Sequence, residues 1–68
     1  MRPVWVHLKN FTPPVAINAN NIVRVHERFD KELNKPVLTL FDVAGRDYVV
    51  RGLTLQRWLT MARRAARP

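Results

Sequence analysis

The residues of this 68-residue chain best suited to chemistry are its arginines. Arg57, Arg63, Arg64 and Arg67 stand within residues 53 to 68 with no Asp or Glu among them, giving +4 there out of a net +7 for the chain. A guanidinium is permanently charged and presents a planar fork of donors that fits phosphate or carboxylate oxygens. The chemistry this run suits is therefore the holding of an anionic partner, not the making or breaking of bonds. Nucleic acid, DNA or RNA, is the natural anionic partner, and Arg24 and Arg28 extend the candidate contacts to a second segment. Such contacts release condensed counterions, so affinity must fall steeply with salt. The same arginines also have a purely structural use. In the last turn of a helix each stabilises the macrodipole by roughly 0.3–1 kcal/mol, and positive charge keeps a small protein in solution.

Other chemistries find little to work with. His7 and His26 are the only histidines and the chain has no cysteine, so thiolate zinc sites, disulfides and a cysteine nucleophile are excluded. Asp30 and Glu32 fall in a polar stretch between two apolar runs, and Asp42 and Asp47 flank a turn. General acid–base work needs carboxylates held in a dry site. The chain has no serine, and neither of its two glycines lies in a glycine-rich phosphate loop. The expectation is a non-enzymatic protein with no metal, no cofactor and no small-molecule substrate.

Two tryptophans bear on recognition. Trp58 lies on the apolar stripe of a helical pattern and reads as core. Trp5 shares the parity of His7 and Lys9, which exposes it and suits it to a subunit interface or a base-stacking platform.

These groups need a scaffold, and the sequence outlines one. Val4, Val6 and Leu8 alternate with Trp5, His7 and Lys9 as in a strand. Thr12-Pro13-Pro14 stops it, since paired prolines remove two donors. Val15-Ala16-Ile17 reads as a short strand and Asn18-Ala19-Asn20-Asn21 as a turn. In the segment 22 to 29, Val23, Val25 and Phe29 take one parity and Arg24, His26 and Arg28 the other, which predicts one buried and one wet face, with Ile22 left to the turn. Residues 30 to 36 form a longer hairpin loop before Val37-Leu38-Thr39-Leu40-Phe41. Ala44-Gly45-Arg46 turns the chain into a last strand, 47 to 51. Gly52 ends the sheet and Thr54 is the expected N-cap of a helix. Leu53 and Trp58 are spaced as a hydrophobic staple, although Arg57 stands where a capping box wants Glu or Gln. Leu55, Trp58, Leu59, Ala62 and Ala66 recur at helical spacing and are expected to cover the sheet.

The class that follows is α+β: a small antiparallel meander of four or five strands with one C-terminal amphipathic helix on one face, in a single domain spanning 1–68. A chain this short buries only roughly 60% of its unfolded surface, so dimerisation is a candidate staple. The N-terminus, Met1-Arg2-Pro3, lacks a signal-peptide pattern and no apolar run approaches a membrane span, so a soluble cytoplasmic protein is expected. Charge is unevenly placed. Arg2, Lys9, Arg24 and Arg28 against Glu27 give +3 in residues 1 to 29, while the four bases and four acids of residues 30 to 52 cancel.

The run Asn18-Ala19-Asn20-Asn21-Ile22-Val23-Arg24-Val25, then Leu38-Thr39-Leu40 with Gly45, then Tyr48-Val49-Val50-Arg51 leading into a helix, resembles the short FlbD-like proteins associated with bacterial flagella and swarming. The likeness covers residues 15 to 62 or so. It implies a fold and a bacterial or phage setting, and it supplies no catalytic residues. Two functional expectations result. The first is an accessory or regulatory protein that binds nucleic acid through a basic helix face without reading bases. The second is an assembly module that dimerises through an edge strand or Trp5 and binds an acidic protein. An anionic membrane surface is a third possible partner, set against the need of the helix's apolar stripe for the sheet.

Overall fold

A computed structural model describes residues 2–9 and 15–67. Five strands precede one helix: β1 (Trp5–Leu8), β2 (Val15–Asn18), β3 (Ile22–Asp30), β4 (Lys35–Asp42), β5 (Asp47–Arg51) and α1 (Leu55–Ala66), with a single 3-10 turn at Ala19–Asn21. The class is α+β and every strand pairing is antiparallel, as the alternation and short connections predict. The strands divide between two sheets: β1 pairs with β2, while β3, β4 and β5 form a meander with β4 central. The paired prolines expected to stop β1 lie outside the described residues.

One face of the meander and the β1–β2 ribbon share a single core. Leu38 and Leu40 are fully buried at the centre of β4, and Val6, Leu8, Ile17, Val50, Leu53 and Trp58 close around them. Burying a leucine this completely contributes roughly 1.5–3 kcal/mol. The register sets the other face. Leu40 stands opposite Val25 and Tyr48, whereas Phe41 stands opposite Arg24 and Asp47, and Thr39 opposite His26 and Val49. Because side chains alternate across a strand, Arg24, His26 and Arg28 share the face that the helix does not cover.

The expected burial of β3 needs correction. Ile22 belongs to the strand and packs against the core, while Val23 is 66% exposed and Phe29 59% exposed. The register shifts between Ile22 and Arg24, so Val23 is the extra residue of a bulge and is turned out of the ladder. Val25, on one side of Glu27, packs on the core. Phe29 lies on the other side of Glu27, beyond the core, paired with Pro36 at the start of β4.

Short polar side chains fix the turns. Asn18 Oδ1 accepts from the amides of Asn20 (3.1 Å) and Val4 (3.0 Å), which ties the 3-10 turn to the chain entering β1. Asp42 Oδ1 accepts from Ala44 N and Arg46 N, both at 2.9 Å, and Gly45 supplies the positive φ, 85°, that closes this hairpin. The 30 to 36 segment is tighter than expected. β3 runs to Asp30, β4 starts at Lys35, and the turn between them holds Asn34 at φ 53° with Asp30 Oδ1 accepting from Glu32 N and Leu33 N.

The helix starts as its sequence dictates, with one addition. Thr54 Oγ1 accepts from Arg57 N at 3.1 Å, and Leu53 and Trp58 lie together in the core as the staple spacing requires. No carboxylate stands at position 57, but Glu27 on β3 brings one to the helix start, its Oε2 accepting from Leu55 N at 2.8 Å. A negative group there offsets the positive end of the helix dipole. The face presented to the sheet differs from the expected stripe. Trp58 is buried, with Met61 and Ala62 packed beside it, while Leu55, Leu59 and Ala66 are exposed. The indole is the largest apolar surface on the helix, and rolling it to the centre of the contact carries Leu55 and Leu59 to the rim.

Candidate nucleic-acid interface

The arginine positions follow from helical geometry. With about 100° of turn per residue, Arg57 and Arg64 project within about 20° of each other and two turns apart, while Arg63 points about 100° away from Arg64. The surroundings agree. Arg57 lines a cleft with Met61 on one flank of α1, and Arg63 lines one with Leu59 and Glu27 on the other. Arg67 is the C-cap, its extended backbone donating to Arg64 O. All four arginines are exposed, and among the described residues none of them pairs with a carboxylate. The structure therefore gives a cationic outer surface of about a third of the helix circumference. The indole lies beneath it and two leucines stand at its margin.

Arg24 and Arg28 are not part of that surface. They project from the opposite side of the meander, where the Arg24 guanidinium carbon lies 5.4 Å from the centre of the Phe41 ring and Arg28 Nη1 lies 3.9 Å from Asp30 Oδ2. His26 and the half-exposed Val49 share this open face. The six arginines thus fall into two groups separated by the thickness of the domain.

A third group of cations escapes a reading of the sequence. At the junction of β5 and α1, Lys9 joins Arg57 around a cleft of about 310 Å³ that His7 also lines. An adjoining cleft is lined by Lys35, Arg51 and, again, Gly52 and Arg57. Among the described residues, no acid lines either one. Lys9, Lys35 and Arg51 stand at the ends of three different strands and look like unrelated single charges in the sequence. The β4–β5 register, with Arg51 opposite Val37, sets Arg51 beside the start of β4, and the packing of the β1–β2 ribbon brings Lys9 to the same corner.

Trp5 is 53% exposed, as its parity requires, and lines a cavity of about 260 Å³ with Asn18, Arg46 and Tyr48. The Tyr48 hydroxyl donates to Asp42 Oδ2 at 3.3 Å, so the polar groups there serve the β4–β5 turn. His7 and His26 are exposed, and among the described residues no group of three His, Cys, Asp or Glu side chains could hold a metal ion. No helix among the described residues is long and apolar enough to cross a membrane. Compared with protein-family models, curated proteins and solved structures, the chain matches none of them.

Proposed function

We propose that this chain is a small non-enzymatic accessory protein that binds nucleic acid through the outer face of α1, with Arg57, Arg63, Arg64 and Arg67 as phosphate contacts. The observation that carries this reading is the lack of any carboxylate partner for those four exposed guanidinium groups among the described residues. Arg24 and Arg28 are secondary contacts. They lie across the sheet from the helix, and each already has a neighbour, Phe41 or Asp30. Contacts confined to the backbone confer affinity without base discrimination. The FlbD-like resemblance favours a bacterial or phage setting, with the cytoplasm as the site of action. The test is charge reversal: Arg57→Glu, Arg63→Glu and Arg64→Glu together abolish retention of duplex and single-stranded DNA and RNA, while the far-ultraviolet circular dichroism stays as in the wild type. Equal binding by the triple variant refutes the proposal.

A second reading, an assembly module that dimerises and binds an acidic protein, draws on a different observation. Trp5, Val23 and Phe29 are each more than half exposed, and the latter two lie on β3, an edge strand with unpaired backbone groups. Light scattering at low and high salt separates the readings. A dimer that persists in high salt, from a protein with no affinity for nucleic acid in low salt, favours assembly.

A further inference from the structure

We infer that the corner where β5 meets α1 is a phosphate-binding site through which the backbone of a bound nucleic acid leaves the helix and continues around the edge of the sheet. This inference rests on the proposed nucleic-acid reading and adds Lys9 and Lys35 to it. Two clefts meet there, sharing Gly52 and Arg57, with Lys9 and His7 on one side and Lys35 and Arg51 on the other.

Three features argue for a site over a chance gathering of surface charge. First, Lys9 just after β1, Lys35 at the start of β4 and Arg57 on the helix line clefts that no acid lines among the described residues. Like charges placed together raise the energy of the free protein, and an anion seated between them relieves that cost. Second, Gly52, with a φ of 81°, lines both clefts and leaves open space where a Cβ would stand. Third, the corner is continuous with the helix surface. Arg57 belongs to both, and Arg64 projects in nearly the same direction two turns, roughly 10 Å, further along. Single-strand sites of this kind span several nucleotides, so Arg64, Arg57 and the paired clefts fall within the reach of one bound segment. The other flank, by contrast, has Glu27 beside Arg63 and the apolar Leu55 and Leu59. That asymmetry directs the strand toward the Lys9 and Lys35 side.

The experiment uses the full chain and fluorescein-labelled oligonucleotides, single-stranded and duplex, with anisotropy followed across a series of salt concentrations. The variant is Lys9→Gln with Lys35→Gln, two exposed residues outside the helix set. Removing one cation from a phosphate lowers the slope of log affinity against log salt by about 0.7–0.9. The double variant is therefore expected to show a slope shallower by about 1.5 and an affinity weaker by on the order of tenfold at about 0.1 M salt. Lys9→Arg with Lys35→Arg keeps the charges and is expected to hold the wild-type slope. A double glutamine variant with the wild-type slope overturns the corner site alone and leaves the helix reading standing. Failure of the wild type to bind any oligonucleotide overturns both. Titration of the same variants with inorganic pyrophosphate tells the sources of phosphate apart: saturation by pyrophosphate at concentrations that leave the oligonucleotide unbound places a small phosphorylated ligand at the corner and overturns the polymer track.

Discussion

Two groups of arginines project from opposite sides of this domain, and they differ in what surrounds them. On the open face of the meander, Arg24 lies over Phe41 and Arg28 approaches Asp30, so each cation has a neighbour within its own sheet. On α1, Arg57, Arg63, Arg64 and Arg67 are equally exposed, and the single acid near the start of the helix, Glu27, is occupied with the amide of Leu55. The difference teaches that a count of surface arginines is a poor guide to function. A cation over a ring or beside a carboxylate has part of its field satisfied internally, and an exposed pair of that kind contributes little either way. A group of cations with no acid among them keeps its field for a partner.

The contrast exists only while α1 is held in place, and the largest effect comes from releasing it. Trp58 is the only fully buried residue of the helix, and Trp58→Ala is expected to cost about 3–5 kcal/mol, enough to unfold a domain of this size at ordinary temperature or nearly so. Thermal melts followed by circular dichroism give the loss of stability. Oligonucleotide affinity is expected to fall with it by about tenfold or more, because arginines on a released segment lose their fixed spacing and must be ordered on binding. Wild-type affinity in an unfolded Trp58→Ala protein would mean that the arginines act as a basic tail and that their placement on the helix is irrelevant.

A smaller effect tests how the helix begins. Thr54→Ala removes the N-cap and is expected to cost about 1 kcal/mol. Glu27→Gln keeps the size of the side chain but weakens the bond to Leu55 N and removes the charge opposite the dipole, at a cost of about 0.5–1 kcal/mol. Urea denaturation of both single variants and the double measures the coupling. The two side chains serve different amides of one helical turn, so the double variant is expected to lose nearly the sum, with a shortfall of no more than about 0.5 kcal/mol. A large negative coupling would show that Glu27 and Thr54 act as one unit.

Much of this architecture was legible in the sequence because it rests on local signals. Asn18 and Asp42 declare turns through their own side-chain bonds, Gly45 and Gly52 mark positive φ, and Thr54 with Leu53 and Trp58 announces a helix start. What was illegible depends on pairing across distance. The parity of β3 predicts Val23 and Phe29 as buried, because nothing in the residues themselves reveals a bulge at Val23 or that Phe29 lies beyond the core. The helix stripe through Leu55, Trp58, Leu59, Ala62 and Ala66 fits the period, but a stripe through Trp58, Met61 and Ala62, rotated away from Leu55 and Leu59, fits it too. Only docking against β1 and β3 chooses between them. Glu27 as a helix cap, and Lys35 lining one cleft with Arg57, bring together residues more than twenty positions apart. In the candidate site, the four helix arginines were visible as a run without acids, and the separation of Arg24 and Arg28 onto the far face was not.

The smallest expected effect bears most directly on the two groups of arginines. Arg24→Gln leaves the ring of Phe41 in place and removes only the cation above it, an interaction worth about 0.5–1 kcal/mol at an exposed site. Stability is therefore expected to drop by no more than that. Oligonucleotide affinity at low salt is expected to change by less than about twofold, with a slope of log affinity against log salt that stays within about 0.3 of the wild type, because a secondary contact on the far face releases little counterion. Arg57→Gln, measured beside it, should lower that slope by close to the share of one phosphate while leaving stability nearly unchanged, since its exposed guanidinium has no carboxylate partner among the described residues. The two substitutions thus exchange effects, one falling on the fold and the other on the ligand. If Arg24→Gln instead reduces the slope as much as Arg57→Gln does, the open sheet face holds phosphates as well as the helix does, and the neighbours of Arg24 and Arg28 do not set the two groups apart.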